Sequence, residues 1–165
     1  MTDEPLDPIR RTAELVTAQA QNRSEAAELE RRLKLDIFNS IGRIKPNLIA
    51  DVDFDKEVVN GEFFSALSAP LQGIAIARCE GALAFYNRIG WHPSLLTESL
   101  DECIPKDGQQ PLTERYHATT LHDLAYVHPK HFEKMLGKSG SASMWEALKR
   151  HVNTLCEQSS VSNSD

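Results

Sequence analysis

PLQGIAIARCEGALAFYNR, residues 70–88, is the most apolar stretch of the chain, and its periodicity separates a helical fold from a sheet. Ile74-Ala75-Ile76-Ala77 alternates briefly as a strand would. The uninterrupted run around it, about 19 residues, is too long for an ordinary strand and favours a helix. Leu71, Ile74, Ala75, Ile76, Leu83 and Phe85 fall around nearly the whole circumference, which predicts a central, buried helix. Ala69, Gly73, Ala77 and Gly81 recur every four residues and predict a line where a second helix approaches closely. Gly90 suits the left-handed residue that closes such a helix.

Helical spacing also dominates on the N-terminal side. Asp7-Pro8 has the chemistry of a helix start, an N-capping carboxylate followed by Pro where a missing N–H costs nothing. Ile9, Ala13, Val16 and Ala20 then form a thin apolar stripe. A second register runs through Ala26, Leu29, Leu33, Ile37, Ile41 and Ile44, with Asn22 to Glu25 spaced as a capping box at its start. Residues 8–44 are therefore one long helix with a register shift or two helices meeting near Asn22. They either fold back on the remainder or project as an arm. Glu28 with Arg32 and Glu30 with Lys34 stand in the favourable i,i+4 order of a solvated helix surface. Pro46 ends this region.

Further along, residues 46–55 read as a loop and Lys56–Leu67 as a short helix. His92-Pro93 opens another helix, with Leu95, Leu96, Leu100 and Cys103 inward. The stretch from Asp101 to Arg115 carries Pro105, Asp107-Gly108, Gln109-Gln110 and Pro111 and reads as the longest loop. Helices are expected over Glu114–Val127 and Pro129–Leu136. After a turn at Gly137–Ser141, a capping box at Ser143–Glu146 predicts a last helix with Trp145, Leu148, Val152 and Leu155 on one stripe. The expectation is an all-α, single-domain array of six to seven helices over residues 8–157, between a flexible segment 1–7 and a disordered tail 158–165.

Composition narrows the function classes. The 165 residues carry a net charge of −6. Residues 1–60 and 61–165 each hold 12 acidic and 9 basic side chains. No basic domain or tail is present, which argues against nucleic acid as a partner. A DNA-binding regulator is retained as a third reading only on the strength of Arg10-Arg11, Arg31-Arg32-Lys34 and Arg43-Lys45, whose acidic neighbours dilute them. Cys79, Cys103 and Cys156 are odd in number and irregularly spaced, so they form no disulfide or zinc framework. The acidic start Met1–Pro5 is no signal peptide, and no stretch reaches the roughly 18 apolar residues of a membrane span. A reduced, cytoplasmic protein away from membranes is expected.

Two constellations have the residue types for metal chemistry. Asp51, Asp53, Asp55 and Glu62 match positions 1, 3, 5 and 12 of a calcium loop, where hard oxygen ligands wrap one ion. Lys56 occupies the position where that loop needs Gly. His117, His122, His128 and His131, with Asp123, are dense enough to suggest a small metal-dependent hydrolase, with His117, His122 and Asp123 catalytic. No pair has the i,i+4 spacing that puts two imidazoles on one helix face. Cys103, next to a polar segment, is a candidate nucleophile. No phosphate-binding glycine loop and no serine elbow occur, and no cofactor is expected. With no complete catalytic set, the leading expectation is a non-enzymatic adaptor, inhibitor or regulator. It would bind another protein, or a second copy of itself, through Ile9, Ala13, Val16 and Ala20 and the 104–112 segment.

Overall fold

The computed structural model describes residues 8–18 and 23–163. The chain is all-α. Among these residues the one β feature is an isolated antiparallel bridge between Ser99 and Thr120. Asp7, Ala20 and Asn22, which the sequence reading used for caps and for the apolar stripe, lie outside the described residues. The helices are α1 (Pro8–Val16), α2 (Arg23–Ile44), α3 (Pro46–Ile49), α4 (Phe63–Ala66), α5 (Ala69–Ile89), α6 (Lys106–Tyr116) and α7 (Pro129–Asn163). No described helix is long and apolar enough to cross a membrane. The chain gathers into two compact units, one up to Leu83 and one from Ala84 onward.

In the first unit α1 packs on α2. Ile9, Ala13 and Val16 are buried, as are Leu29, Leu33, Ile37 and Ile41. The two registers thus belong to two separate helices. Their apolar stripes are interior, each large side chain contributing about 1.5–3 kcal/mol by leaving water. The expected contact surface at Ile9, Ala13 and Val16 is therefore corrected: its side chains are already covered. Lys34 is buried rather than solvated. Its ammonium pairs with Glu30 at 3.0 Å and donates to the Val59 carbonyl at 3.3 Å. Those contacts supply the partners that make burial of the charge tolerable. Pro46 ends α2 but also starts α3, since its fixed φ suits a first helical turn. In place of one helix over 56–67 there is a wide π-type turn at Phe54–Val59 and then the short α4.

α5 has the predicted extent, but only one face is buried: Leu71, Ala75, Cys79, Ala82, Phe85, Tyr86 and Ile89. Ala69, Gly73 and Ala77 are exposed, and a Cβ placed on Gly73 would meet nothing within 4 Å. Ala69, Gly73 and Ala77 mark open surface, not a close helix crossing, and Gly81 is half-buried. Gly90 does close α5, with φ +95° and its N–H donating to the Tyr86 carbonyl at 2.8 Å. A Cβ there would lie 3.0 Å from Cγ1 of Val152. Gly90→Ala is expected to cost about 1–2 kcal/mol through the left-handed conformation and this contact. A lowered urea midpoint with unchanged slope is the measurement that checks it.

The second unit departs furthest from expectation. The 101–115 segment is not a loop: α6 occupies most of it, with Pro111 inside the helix. Gly108 and Leu112 are buried on its inner face, and Gln109 donates to Asp101 at 2.9 Å and to the Ile104 carbonyl at 2.7 Å. One anchored face holds a helix whose composition reads as a turn. α6 stops at His117, which is left-handed at φ 56°, and residues 121–126 form a 3-10 helix instead of extending a helix to Val127. His92-Pro93 opens only a short 3-10 turn, Pro93–Leu96. α7 breaks at Gly137 (φ 78°, ψ 167°), a backbone conformation reserved for glycine. From there it is helical to Asn163, so Ser143–Glu146 is helix interior and not a start. Trp145, Leu148 and Val152 are buried as the stripe predicts.

Candidate functional site

The histidines that cluster in sequence are given separate structural tasks. His117 caps the C-terminus of α6, its N–H donating to the Thr113 carbonyl at 3.1 Å. His122 is fully buried. Its Nδ1 hydrogen-bonds the Tyr86 hydroxyl and its Nε2 the Tyr126 hydroxyl at 2.9 Å. Asp123 accepts from the Thr119 and Thr120 N–H groups at 2.9 and 3.1 Å and from the Thr119 hydroxyl at 3.2 Å, which fixes the turn into residues 121–126. His128 Nδ1 accepts from the Lys130 N–H at 3.1 Å at the start of α7. His131 Nδ1 hydrogen-bonds the Tyr116 hydroxyl. Among the described residues no three of these side chains converge as metal ligands.

The acidic loop is likewise taken up by local structure. Asp53 accepts from the Lys56 N–H at 3.1 Å, and Glu57 returns a bond to the Asp53 N–H at 3.2 Å. Asp55 faces Arg31 at 3.5 Å. Asp51, Asp53, Asp55 and Glu62 form no metal-ligand group among the described residues. With Lys56 where a calcium loop needs Gly, the backbone turns into a helix start instead of wrapping an ion. Cys103 is half-buried, and its thiol is pushed up to about 11 by burial and then by the carboxylates of Glu98 and Glu102. It is held protonated, which is the wrong state for a nucleophile.

What the second unit does assemble is a small basic cleft between the C-terminal turn of α6 and the first turns of α7. Arg115, Tyr116, His131, Lys134 and Met135 line about 130 Å³. Two helical features aim these groups. Arg115 and Tyr116 are the last residues of α6 before the left-handed His117. His131 and Lys134 are three apart on α7 and so share a face. Phe132, between them in sequence and fully buried, anchors that turn through an edge contact with Trp145 at 5.5 Å between ring centroids. Arg115 and Lys134 are exposed, and among the described residues neither has an ion-pair or hydrogen-bond partner. A guanidinium, an ammonium, a phenol and an imidazole around one cleft are donors for an anion. The volume admits one carboxylate or phosphate group, well below the roughly 300 Å³ at which pockets for whole small molecules begin.

Of the cleft residues the sequence singles out His131, as one of the histidine group; it gives no signal for Arg115, Tyr116 and Lys134. They stand 15 to 19 positions from their neighbours across the cleft, a spacing with no periodic signature. Comparison of the chain with protein-family models, with curated proteins and with solved structures gives no match.

Proposed function

We propose that this protein is a non-enzymatic helical binding module. Its recognition point is the Arg115–Tyr116–His131–Lys134 cleft, and its ligand is an anionic side chain, carboxylate or phosphorylated hydroxyl, on a protein partner. The observation that carries this reading is the pair of uncommitted cations, Arg115 and Lys134, at a cleft sized for a single anionic group. At exposed groups such as these, a charge-assisted contact contributes about 0.2–1 kcal/mol, so preference for an anion over a neutral group comes from both cations acting together. The cleft is solvent-facing, so binding weakens as salt rises. The rest of the contact comes from the surrounding surface, since one ionic group alone gives weak affinity.

The test uses three labelled peptides of one sequence, carrying phosphoserine, glutamate or glutamine at a central position, titrated against the full-length protein at low ionic strength. Binding of either anionic peptide, and not the glutamine one, is expected, and which binds distinguishes phosphate from carboxylate. Arg115→Gln with Lys134→Gln should weaken it at least about tenfold with an unchanged circular dichroism spectrum. Equal binding of all three peptides, or binding untouched by the double substitution, contradicts the reading.

A further inference from the structure

A second group of polar side chains lies outside the cleft. Glu98, Glu102 and His151 each present one ligand atom, and the three atoms lie within 4.8 Å of one another. His151 Nε2 is 2.9 Å from Glu98 Oε1. The residues come from separate segments of the second unit. Glu98 precedes the Ser99–Thr120 bridge, Glu102 ends the 3-10 turn Leu100–Glu102, and His151 is on α7.

The backbone that carries them is tied in place. The Glu98 N–H donates to the Ser94 carbonyl at 2.9 Å, and the Glu98 carbonyl accepts from the Leu121 N–H at 3.0 Å. The Glu102 N–H donates to the Ser99 carbonyl at 3.3 Å. Two carboxylates are thus held close together, and among the described residues no Lys or Arg ion pair reaches either. The His151 imidazole bonds Glu98 directly, while its ligand atom lies within 4.8 Å of the Glu102 carboxylate without a hydrogen bond to it. An ordinary ion pair needs one carboxylate and accounts for Glu98 alone. It does not account for Glu102, brought to the same point from another turn.

We propose that Glu98, Glu102 and His151 form a binding site for a first-row divalent transition ion of the Zn2+ type. Two oxygens and one nitrogen form a borderline donor set. It suits Zn2+, Co2+ or Mn2+, whereas Ca2+ requires six to eight oxygens. Ligands around a bound ion stand about 3–3.5 Å apart, given metal–ligand bonds of about 2.1 Å. The Glu98–His151 separation already fits this, and a small rotation of the exposed Glu102 side chain closes the rest. Three protein ligands leave a coordination position open to water or to a partner's side chain. The site is separate from the basic cleft, and neither proposal depends on the other.

The test is calorimetric titration of the chelator-stripped, full-length protein with Zn2+, followed by Ca2+ in a second experiment. One Zn2+ per chain is expected, with a dissociation constant of about 10 µM or tighter and at least about tenfold weaker binding of Ca2+. Glu102→Gln and His151→Ala should each weaken Zn2+ at least about tenfold. The exposed Glu102 can lose its charge without loss of packing, so that variant carries the test if His151→Ala is unstable. His128→Ala with His131→Ala should leave Zn2+ binding unchanged. Absence of Zn2+ binding, equal affinity for Ca2+, full binding by Glu102→Gln, or loss of binding in the His128/His131 variant overturns the assignment.

Discussion

Replacing Phe132 by Ala is expected to lower stability by about 3–5 kcal/mol. Phe132 is the largest fully buried side chain, and its ring meets Trp145 edge-on at an interplanar angle of 82°. Trp145 is also contacted by Phe85, with ring centroids 5.9 Å apart, and by the Arg88 guanidinium 3.9 Å from its ring centroid. Truncation therefore removes both the transferred surface and one of the partners that hold Trp145, leaving a cavity beside that ring. For a chain of this size the loss corresponds to a drop in melting temperature of about 10 °C. A change in tryptophan emission should accompany it. Because Phe132 lies between His131 and Lys134, binding of an anionic peptide should weaken too, even where the protein is still folded. A melting temperature within about 2 °C of the parent would mean that the first turn of α7 is not held by this contact.

His122→Ala is expected to cost about 3–4 kcal/mol, from a cavity together with the loss of one buried and one part-buried polar contact. The imidazole lies between Tyr86 and Tyr126, nearly parallel to the first ring at 18° and perpendicular to the second at 90°. A phenol hydroxyl can donate or accept, so each imidazole nitrogen meets a polar partner, Nδ1 at Tyr86 and Nε2 at Tyr126. His122→Phe separates the contributions. It keeps most of the volume and removes the polar partners, so its cost should be smaller than that of His122→Ala but still about 1–3 kcal/mol. If His122→Phe were as stable as the parent in chemical denaturation, the hydrogen bonds would contribute nothing net and packing alone would hold the residue.

His122 also shows how sequence reading separates fold from site. Local density suggested four histidines with one task, yet the structure assigns a helix cap, a core contact, a turn cap and a cleft wall. Density along the chain says nothing about direction, and only i,i+3 or i,i+4 spacing on one helix would have aligned the rings. The all-α class was legible because α2, α5 and the last helix carry apolar residues at helical spacing for three turns or more. α6 was not, since its helicity rests on the buried face of Gly108 and Leu112 and on Gln109 reaching Asp101, while Pro105, Gly108 and Pro111 signal a turn locally. The 3-10 segment 121–126 was hidden for a similar reason: it is fixed by Asp123 accepting from Thr119 and Thr120, a contact that any short acidic helix start would suggest.

The stripe Ile9–Ala13–Val16 was legible as an apolar face but not as an interior one. An amphipathic helix has the same pattern whether its cover is its own chain or a partner. The cleft and the Glu98–Glu102–His151 group were invisible for a different reason. Each joins residues on elements that only the fold brings together; Glu98 and His151 are 53 positions apart. The Glu98–Cys103 segment read as the end of one helix and the start of a loop, not as two short turns that bring carboxylates to one point.

We propose above that an anionic group is recognised between α6 and α7, and backbone amides beside the cleft report on such binding. The most direct measurement is a two-dimensional amide spectrum of the isotopically labelled full-length protein, titrated with O-phosphoserine at low ionic strength. The largest shifts are expected at residues 115–117 and 130–135, saturating together and absent in the Arg115→Gln, Lys134→Gln protein. Shifts that centre elsewhere, on the Arg43–Lys45 end of α2 for example, or that persist in the double variant, would contradict it.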